Sequence, residues 1–166
     1  MATKISRTTS ADAVEIFGLD EFKRALRFAD NDMKKAIKAS NKAIAEKVVA
    51  DMKRRGRIIW SAEQYETIIP SIRAVQGTVP TIRLCGSRKA TVSRRYPSGR
   101  RRREIPSAGD YLYGAEFGGR GTKTTMQFPF KRNRGYVLFP TIRRNHGFIK
   151  REFTRNVERQ LRKLGD

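Results

Sequence analysis

The chain contains very little cysteine and histidine and comparatively few acidic residues. Among 166 residues there are one Cys, one His and 16 Asp+Glu, against 37 Lys+Arg. A single cysteine excludes an intrachain disulfide, so the sequence fits a reducing compartment. Cys85 and His146 supply too few ligands for a closed structural zinc site. No motif around either residue indicates a Cys–His nucleophilic pair.

Long apolar runs are also missing. The polar residues 1–10 have no apolar run behind them, so we expect no signal peptide. No stretch approaches the roughly 20 apolar residues that a membrane-spanning helix requires. Hydrophobic residues make up only 38 % of the chain, which predicts one domain with a modest core. These absences predict a protein made inside the cell, with no membrane partner.

The motifs of common enzyme classes are incomplete. Gly114 and Gly119 have the spacing of a phosphate-binding loop, but Arg120 stands where that loop needs Lys. Asp110 and Glu116 lie near these glycines without forming the paired-acid motif of a magnesium-dependent nuclease. We therefore expect no enzyme activity, no cofactor and no metal site.

What the sequence has in excess is positive charge, with a formal net charge of +21. Such an excess destabilises the compact state by self-repulsion unless an anionic partner relieves it. The segment 88–103 contains no acid, and its lack of periodicity, with Pro97 and Gly99, predicts a mobile basic loop over about 87–109. The candidate contacts to an acidic protein or to DNA phosphates are Arg88, Lys89, Arg94, Arg95, Arg100, Arg101, Arg102 and Arg103.

The hydrophobic pattern predicts an α+β fold with N-terminal helices, a small, mostly antiparallel sheet carrying the long basic loop insertion, and a C-terminal helix. Helical periodicity indicates a helix over 19–29 and a longer one over 32–55 that stops at Gly56. Loose alternation near 72–75 and 79–84 indicates strands. Residues 1–17 are expected to form an N-terminal arm, and 18–166 a single domain.

A hairpin is predicted between the basic loop and the C-terminal helix. Alternation over 126–130, a turn at Gly135 and the apolar run 136–139 favour two paired strands, with Pro140 ending the second. Pro129 cannot donate a ladder hydrogen bond, so its strand should lie at an edge that a neighbouring subunit can pair with. The residues of this candidate inter-subunit edge are Met126, Phe128, Phe130, Tyr136 and Leu138.

The aromatic residues between 111 and 139 allow two interpretations. Basic residues lie between several of them, as in proteins that stack single-stranded bases. Their period-two spacing favours the second interpretation, in which alternate members form the buried face of the sheet.

Three segments carry a resemblance to a known family. They are Gly18-Leu19-Asp20-Glu21-Phe22 before a Lys/Ala-rich helix, Tyr113-Gly114-Ala115-Glu116-Phe117-Gly118, and Gly135-Tyr136-Val137-Leu138-Phe139-Pro140-Thr141-Ile142-Arg143 before a basic closing helix. In order and spacing, from about Gly18 to Leu164, the chain resembles tailed-bacteriophage head-to-tail joining proteins, the neck or tail-completion components of siphophages.

The resemblance implies a structural virion protein without catalysis. Copies would form a homo-oligomeric ring, six- or twelve-fold, located in the virion neck after synthesis in the bacterial cytoplasm. One face would bind the head-closure or adaptor ring, and the other the tail-terminator or tail-tube ring. Double-stranded genomic DNA would pass through the lumen without being read in sequence.

Two questions stay open at the level of sequence. The arginine-rich insertion departs from the family pattern, and it could meet either DNA phosphates or acidic protein. The alternative function is an independent basic nucleic-acid-binding protein, nucleoid- or RNA-associated. We find no helix-turn-helix, RNA-recognition signature or zinc finger to support that alternative.

Overall fold

The structure, a computed structural model, describes residues 24, 26–84, 92–95, 101–104, 108–119 and 128–165. Its architecture is α+β, as predicted. In chain order the elements are α1 (Asn31–Ile59), α2 (Ala62–Ile68), β1 (Arg73–Val75), β2 (Thr81–Arg83), β3 (Val92–Arg95), β4 (Arg101–Glu104), α3 (Ala108–Phe117) and α4 (Leu138–Gly165). Among the described helices, none has both the length and the apolar character needed to cross a membrane.

The N-terminal predictions are tested only at their end. The predicted arm over 1–17 lies outside the described residues, as does most of the helix predicted over 19–29. Residues 24 and 26–28 are helical, in agreement with that prediction.

Helix α1 begins close to its predicted start and ends one turn beyond its predicted end. The Asp30 side chain caps it by accepting the Met33 N–H at 2.7 Å. Gly56 was predicted to end the helix, but it lies inside it. A Cβ at Gly56 would lie 2.8 Å from Cε3 of Trp60, so this glycine makes room for the indole ring. The ring folds back onto the helix and is only 5 % exposed.

Helix α2 was not predicted from the apolar runs around it. It starts with a capping box: the Ser61 hydroxyl accepts the Gln64 N–H at 3.3 Å, and the Gln64 side chain accepts the Ser61 N–H at 3.2 Å. A single 3-10 turn over Ile69–Ser71 then leads into β1.

Helices α1 and α4 are the two longest described helices, and they pack against each other antiparallel. Three hydrogen bonds join the helical pair along its length. Asn156 Nδ2 donates to Asn41 Oδ1 at 3.1 Å, Asn145 Nδ2 donates to Asp51 Oδ2 at 3.1 Å, and Arg55 Nε donates to the carbonyl of Tyr136, just before α4, at 3.1 Å. In these bonds the residue numbers rise along α4 as they fall along α1, so the two helices lie side by side and antiparallel.

Two hydrophobic clusters hold this pair to the rest of the chain. The larger one surrounds the C-terminal half of α1 and is formed by Val48, Val49, Met52, Trp60, Ile68, Ile69, Ile72, Tyr111, Ala115, Val137 and Leu138. The smaller one, at the other end, contains Leu26, Ile37, Ile44 and Phe153. Strands β1 and β2 pair antiparallel, with Ala74 opposite Ile82, and both of these side chains pack against the larger cluster. The strands predicted near 72–75 and 79–84 are thereby confirmed.

The hairpin predicted over 126–139 is wrong. Residues 136 and 137 form a bend and Leu138 begins α4, so the predicted second strand does not exist. Pro140 lies in the first turn of α4, where its missing N–H costs nothing, and does not end a strand. Phe130 makes only an isolated parallel bridge with Gly119.

Candidate functional site

The arginine-rich insertion contains a two-stranded ribbon. β3 and β4 pair antiparallel in a sheet of their own, with the register Val92↔Glu104, Ser93↔Arg103, Arg94↔Arg102 and Arg95↔Arg101. The loop expected over 87–109 is therefore a strand pair over these eight residues. Arg88, Lys89 and Arg100 lie outside the described residues, whereas the other five candidate contact residues lie on the ribbon.

The register brings like charges opposite one another. Arg94 lies across from Arg102, and Arg95 across from Arg101. Like charges in directly opposite positions destabilise a strand pair, and a two-stranded ribbon is at best marginally stable alone in water. We therefore expect anions to stabilise the ribbon. The sequence did not reveal the strand pairing because its residues show no apolar alternation.

The ribbon has two chemical means of holding a partner. In the part of the chain that the structure describes, β3 and β4 pair only with each other, so each has an outer edge open to β-augmentation by another protein. A two-stranded ribbon also fits the major groove of duplex DNA, where arginines reach phosphates and base edges.

Glu116 is the most deeply buried carboxylate among the described residues, with 1 % of its surface exposed. Its Oε2 accepts the N–H groups of Val137 (3.0 Å) and Leu138 (2.9 Å), and its Oε1 accepts that of Phe139 (3.0 Å). These are donors at the start of α4, which have no acceptor within their own helix. A carboxylate there also interacts favourably with the helix dipole.

The Glu116 cap joins the two segments that carry the family resemblance in the second half of the chain. Glu116 belongs to the segment 113–118, and the capped residues belong to 135–143. Gly135 has φ +73°, and a Cβ there would clash with Oε1 of Glu116, so only glycine suits this position. The carboxylate considered as a possible metal ligand is thus fully engaged by backbone.

The residues predicted as an inter-subunit sheet edge do not form one. Met126 lies outside the described residues, Leu138 is buried in the first turn of α4, and Tyr136 bends back so that its hydroxyl donates to the Phe130 carbonyl at 2.7 Å. Phe128 packs edge-on against Tyr111, with ring centroids 5.8 Å apart. The apolar run at 136–139 forms a helix start because Glu116 supplies its cap.

The aromatic residues do not alternate on a buried sheet face, contrary to the favoured interpretation. Tyr111 is 6 % exposed and Tyr113 is 72 % exposed because both lie on helix α3, where a two-residue step turns the side chain to nearly the opposite side. Phe130 is 87 % exposed. Base stacking by the exposed rings stays a prediction.

A second basic surface lies in a groove between α1 and α4. The groove encloses about 320 Å³ and brings together Arg54, Arg55 and Arg144. The one carboxylate that lines it, Asp51, is already paired with Arg54 and accepts a hydrogen bond from Asn145. With Arg54 paired to Asp51, the groove keeps an excess of positive charge from Arg55 and Arg144, which suits a phosphate or carboxylate group.

The remaining candidates for chemistry do not come together. His146 is exposed on α4, and Cys85 lies outside the described residues. Among the residues that the structure describes, no group of three or more His, Cys, Asp or Glu residues is placed to hold a metal ion. Comparison of the chain with protein-family models, with curated proteins and with solved structures gives no match.

Proposed function

We propose that this chain is a structural subunit of the neck of a tailed bacteriophage, acting in head-to-tail joining without catalysis. The observation that carries the proposal is the Glu116 cap. The two segments by which the chain resembles neck proteins, 113–118 and 135–143, meet in one buried hydrogen-bonded junction. This contact gives the two motifs one joint role in the fold, which supports taking them together as a single architectural signature.

The ribbon β3–β4 supplies the joining mechanism. Each copy carries +21, so a ring of copies closes against strong mutual repulsion unless anions are present. Ribbon strands that place Arg opposite Arg are stabilised only when such anions arrive. The subunit therefore joins the neck late, after acidic neighbouring rings or DNA are in place.

Of the two anions, acidic protein suits the ribbon better than DNA. A tight hold on phosphates would oppose the passage of the genome through the lumen. The open outer edges of β3 and β4 can pair with strands of a head-closure or tail-terminator subunit. DNA then meets other cations of the ring, without any reading of bases.

The test is complementation of particles that lack the protein. Deletion of residues 94–103 should leave a folded protein that no longer joins filled heads to tails, scored by electron microscopy. The matched control is Lys38→Ala with Lys53→Ala, which removes exposed charge from α1. Normal joining after the deletion would refute the role of the ribbon, and joining without the protein would refute the function itself.

The alternative function is independent nucleic-acid binding, which the arginine-bearing ribbon favours. An independent binder would hold duplex DNA on its own, with an affinity that falls steeply with salt, by a slope of about −0.9 per phosphate neutralised. A neck subunit needs its neighbouring rings for stable placement. Binding of the purified protein to a short duplex, titrated with NaCl, separates the two.

A further inference from the structure

Charge is distributed very unevenly along the sequence. Residues 117–151 contain nine Lys+Arg and no acid. Residues 8–22 show the reverse: they contain four acids and no Lys or Arg, and five large apolar side chains lie among them. The four acids are Asp12, Glu15, Asp20 and Glu21. The segment 8–22 lies outside the described residues, whereas much of 117–151 lies within them.

The structure brings part of the basic stretch together with Tyr113 into a surface of exposed and half-buried rings, which we call the aromatic–arginine surface. It comprises Tyr113, Phe117, Phe130, Arg132, Phe139 and Arg143. The rings of Tyr113 and Phe117 are 5.1 Å apart, and those of Phe117 and Phe139 are 5.4 Å apart. Three rings from α3 and α4 thus form a continuous row.

Arginines flank this row. The Arg143 guanidinium lies 6.0 Å from the centre of the Phe139 ring, and that of Arg132 lies 5.3 Å from the centre of the Tyr136 ring. The Arg132 N–H also donates to the Phe117 carbonyl at 2.8 Å, which fixes the loop beside the row. Nearby, Phe130 is 87 % exposed. Exposed rings rimmed by cations are typical of a protein interaction surface.

We propose that the aromatic–arginine surface binds residues 8–22 of a second copy of this chain. The match is one of chemistry: apolar side chains of that segment, such as Phe17 and Phe22, would cover the ring row, while its carboxylates meet the flanking arginines. Opposite charges at a rim raise the association rate and select the correct partner. Three stretches of this chain have at least fifteen residues without Lys or Arg: 8–22 carries four acids, 104–119 carries three, one of which is the buried Glu116, and 58–72 carries two.

The proposed ring favours a second copy over the same chain, because ring closure needs each copy to contact the next. Leu26 packs with Phe153 midway along α4, whereas Phe139 and Arg143 lie at its start. From Phe139 to Phe153 the helix rises about 21 Å. Fifteen extended residues span about 50 Å and could also cover this distance within one chain, so a protein that stays monomeric would assign the contact to the same chain. One segment meeting a different surface on the next copy is a heterologous contact, which repeats and closes into a ring.

The test is a charge exchange followed by sedimentation analysis of the purified full chain at several salt concentrations. Asp20→Lys with Glu21→Lys reverses the segment, and Arg132→Glu with Arg143→Glu reverses the surface. Each double variant alone should weaken self-association at least about tenfold. An equimolar mixture of the two should recover it, because each reversed segment then finds an oppositely charged surface on the other variant.

Two controls keep the result decisive. Lys38→Glu with Lys53→Glu makes the same charge change elsewhere and should leave self-association intact. A synthetic peptide of residues 8–22 should dissociate wild-type oligomers, whereas a scrambled peptide of the same composition should not, so the test survives if a variant fails to fold. A wild-type protein that stays monomeric in low salt, or a mixture that does not recover, overturns the proposal.

The inference rests on the proposed function only in that the contact would build the ring. If self-association responds to the charge exchange but head-to-tail joining does not need the protein, the interface is supported and the neck assignment is refuted. If joining needs the protein but neither charge reversal affects it, the neck assignment is supported and the interface is refuted.

Discussion

The helical body, by which we mean α1 and α4 with the elements packed against them, differs from the β3–β4 ribbon in how it accommodates excess positive charge. In the body, most cations of α1 and α4 are exposed, except for those at the groove between the helices, and the rest of the helix contact is apolar with a few neutral or paired polar groups. In the ribbon, the strand register pairs Arg94 with Arg102 and Arg95 with Arg101. Burial stabilises the body, whereas we expect the stability of the ribbon to depend on anions in its surroundings.

This difference separates folding from binding within one small chain. Substitutions in the body should change the free energy of unfolding and leave polyanion binding largely intact. Substitutions in the ribbon should do the reverse. The predictions below follow this contrast, from the largest expected effect on the free energy of unfolding to the smallest.

Removal of the Glu116 carboxylate should have the largest effect. Glu116→Ala leaves three N–H groups at the start of α4 without their acceptor, two of them buried. We expect a loss of about 3 kcal/mol in urea unfolding, since hydrogen bonds to charged groups contribute about 1.5–3 kcal/mol each. Glu116→Gln, which keeps one acceptor oxygen, should lose less. The control Glu46→Ala, at an exposed i,i+4 pair with Lys42, should change stability by no more than about 0.5 kcal/mol. A loss below that value for Glu116→Ala would show that the cap is not what holds α4.

The buried amide of Asn41 should rank second. It donates to the carbonyls of Gly77 (3.2 Å) and Thr78 (2.8 Å) and accepts from Asn156. Asn41→Ala removes all three bonds inside the body, and we expect a loss of about 2 kcal/mol. Urea unfolding measures it, and Ser40→Ala on the neighbouring half-buried position serves as control. Equal stability of the two variants would contradict the role assigned to Asn41.

Two glycines within long helices should respond to alanine with opposite signs. Gly147 on α4 has no atom within 4 Å of an added Cβ, so Gly147→Ala should stabilise the protein by about 0.5–1 kcal/mol through helix propensity. Gly56→Ala gains the same propensity but pushes into the Trp60 ring, and it should be net destabilising. Thermal unfolding distinguishes them. Stabilisation by both would mean that the indole can move away freely.

The ribbon should show the smallest effect on unfolding and the clearest effect on binding. Arg95→Thr with Arg101→Thr removes one opposed pair, and we expect unfolding to change by less than about 0.5 kcal/mol. Binding to an acidic polypeptide such as polyglutamate should weaken and depend less on salt, because two cations of the ribbon are gone. Hydrogen exchange at residues 92–95 and 101–104 should slow when polyglutamate is added to the wild-type protein. A hydrogen-exchange rate that does not change when the polyanion is added would contradict the proposed difference between ribbon and body.

The sequence predicted the parts of the fold that follow from a repeating pattern. The apolar period of α1 and α4 and the short strands β1 and β2 were read correctly. The junction at Glu116 was not, because it links residues 21 to 23 positions apart and leaves no local signature beyond the residues themselves. Without that long-range cap, the run Tyr136–Phe139 looks equally like a strand.

The candidate site was predictable in composition but not in form. Counting arginines located the insertion, yet strands whose residues are charged carry no apolar alternation, so their pairing was invisible. The capping box of α2 is present in the sequence as Ser61 and Gln64, three residues apart, but the short apolar runs beside it show no helical period. The ring row of Tyr113, Phe117 and Phe139 depends on how α3 meets α4, which only the folded chain defines.

The three hydrogen bonds between α1 and the α4 region have a mechanical consequence. On α1 they involve Asn41, Asp51 and Arg55, which span about 21 Å of a 29-residue helix that is about 43 Å long. Sliding one helix past the other by a single turn, about 5.4 Å, would break all of them together. The pair therefore behaves as one rigid unit, and a force applied at one end of the pair is transmitted to the other with little sliding between the helices.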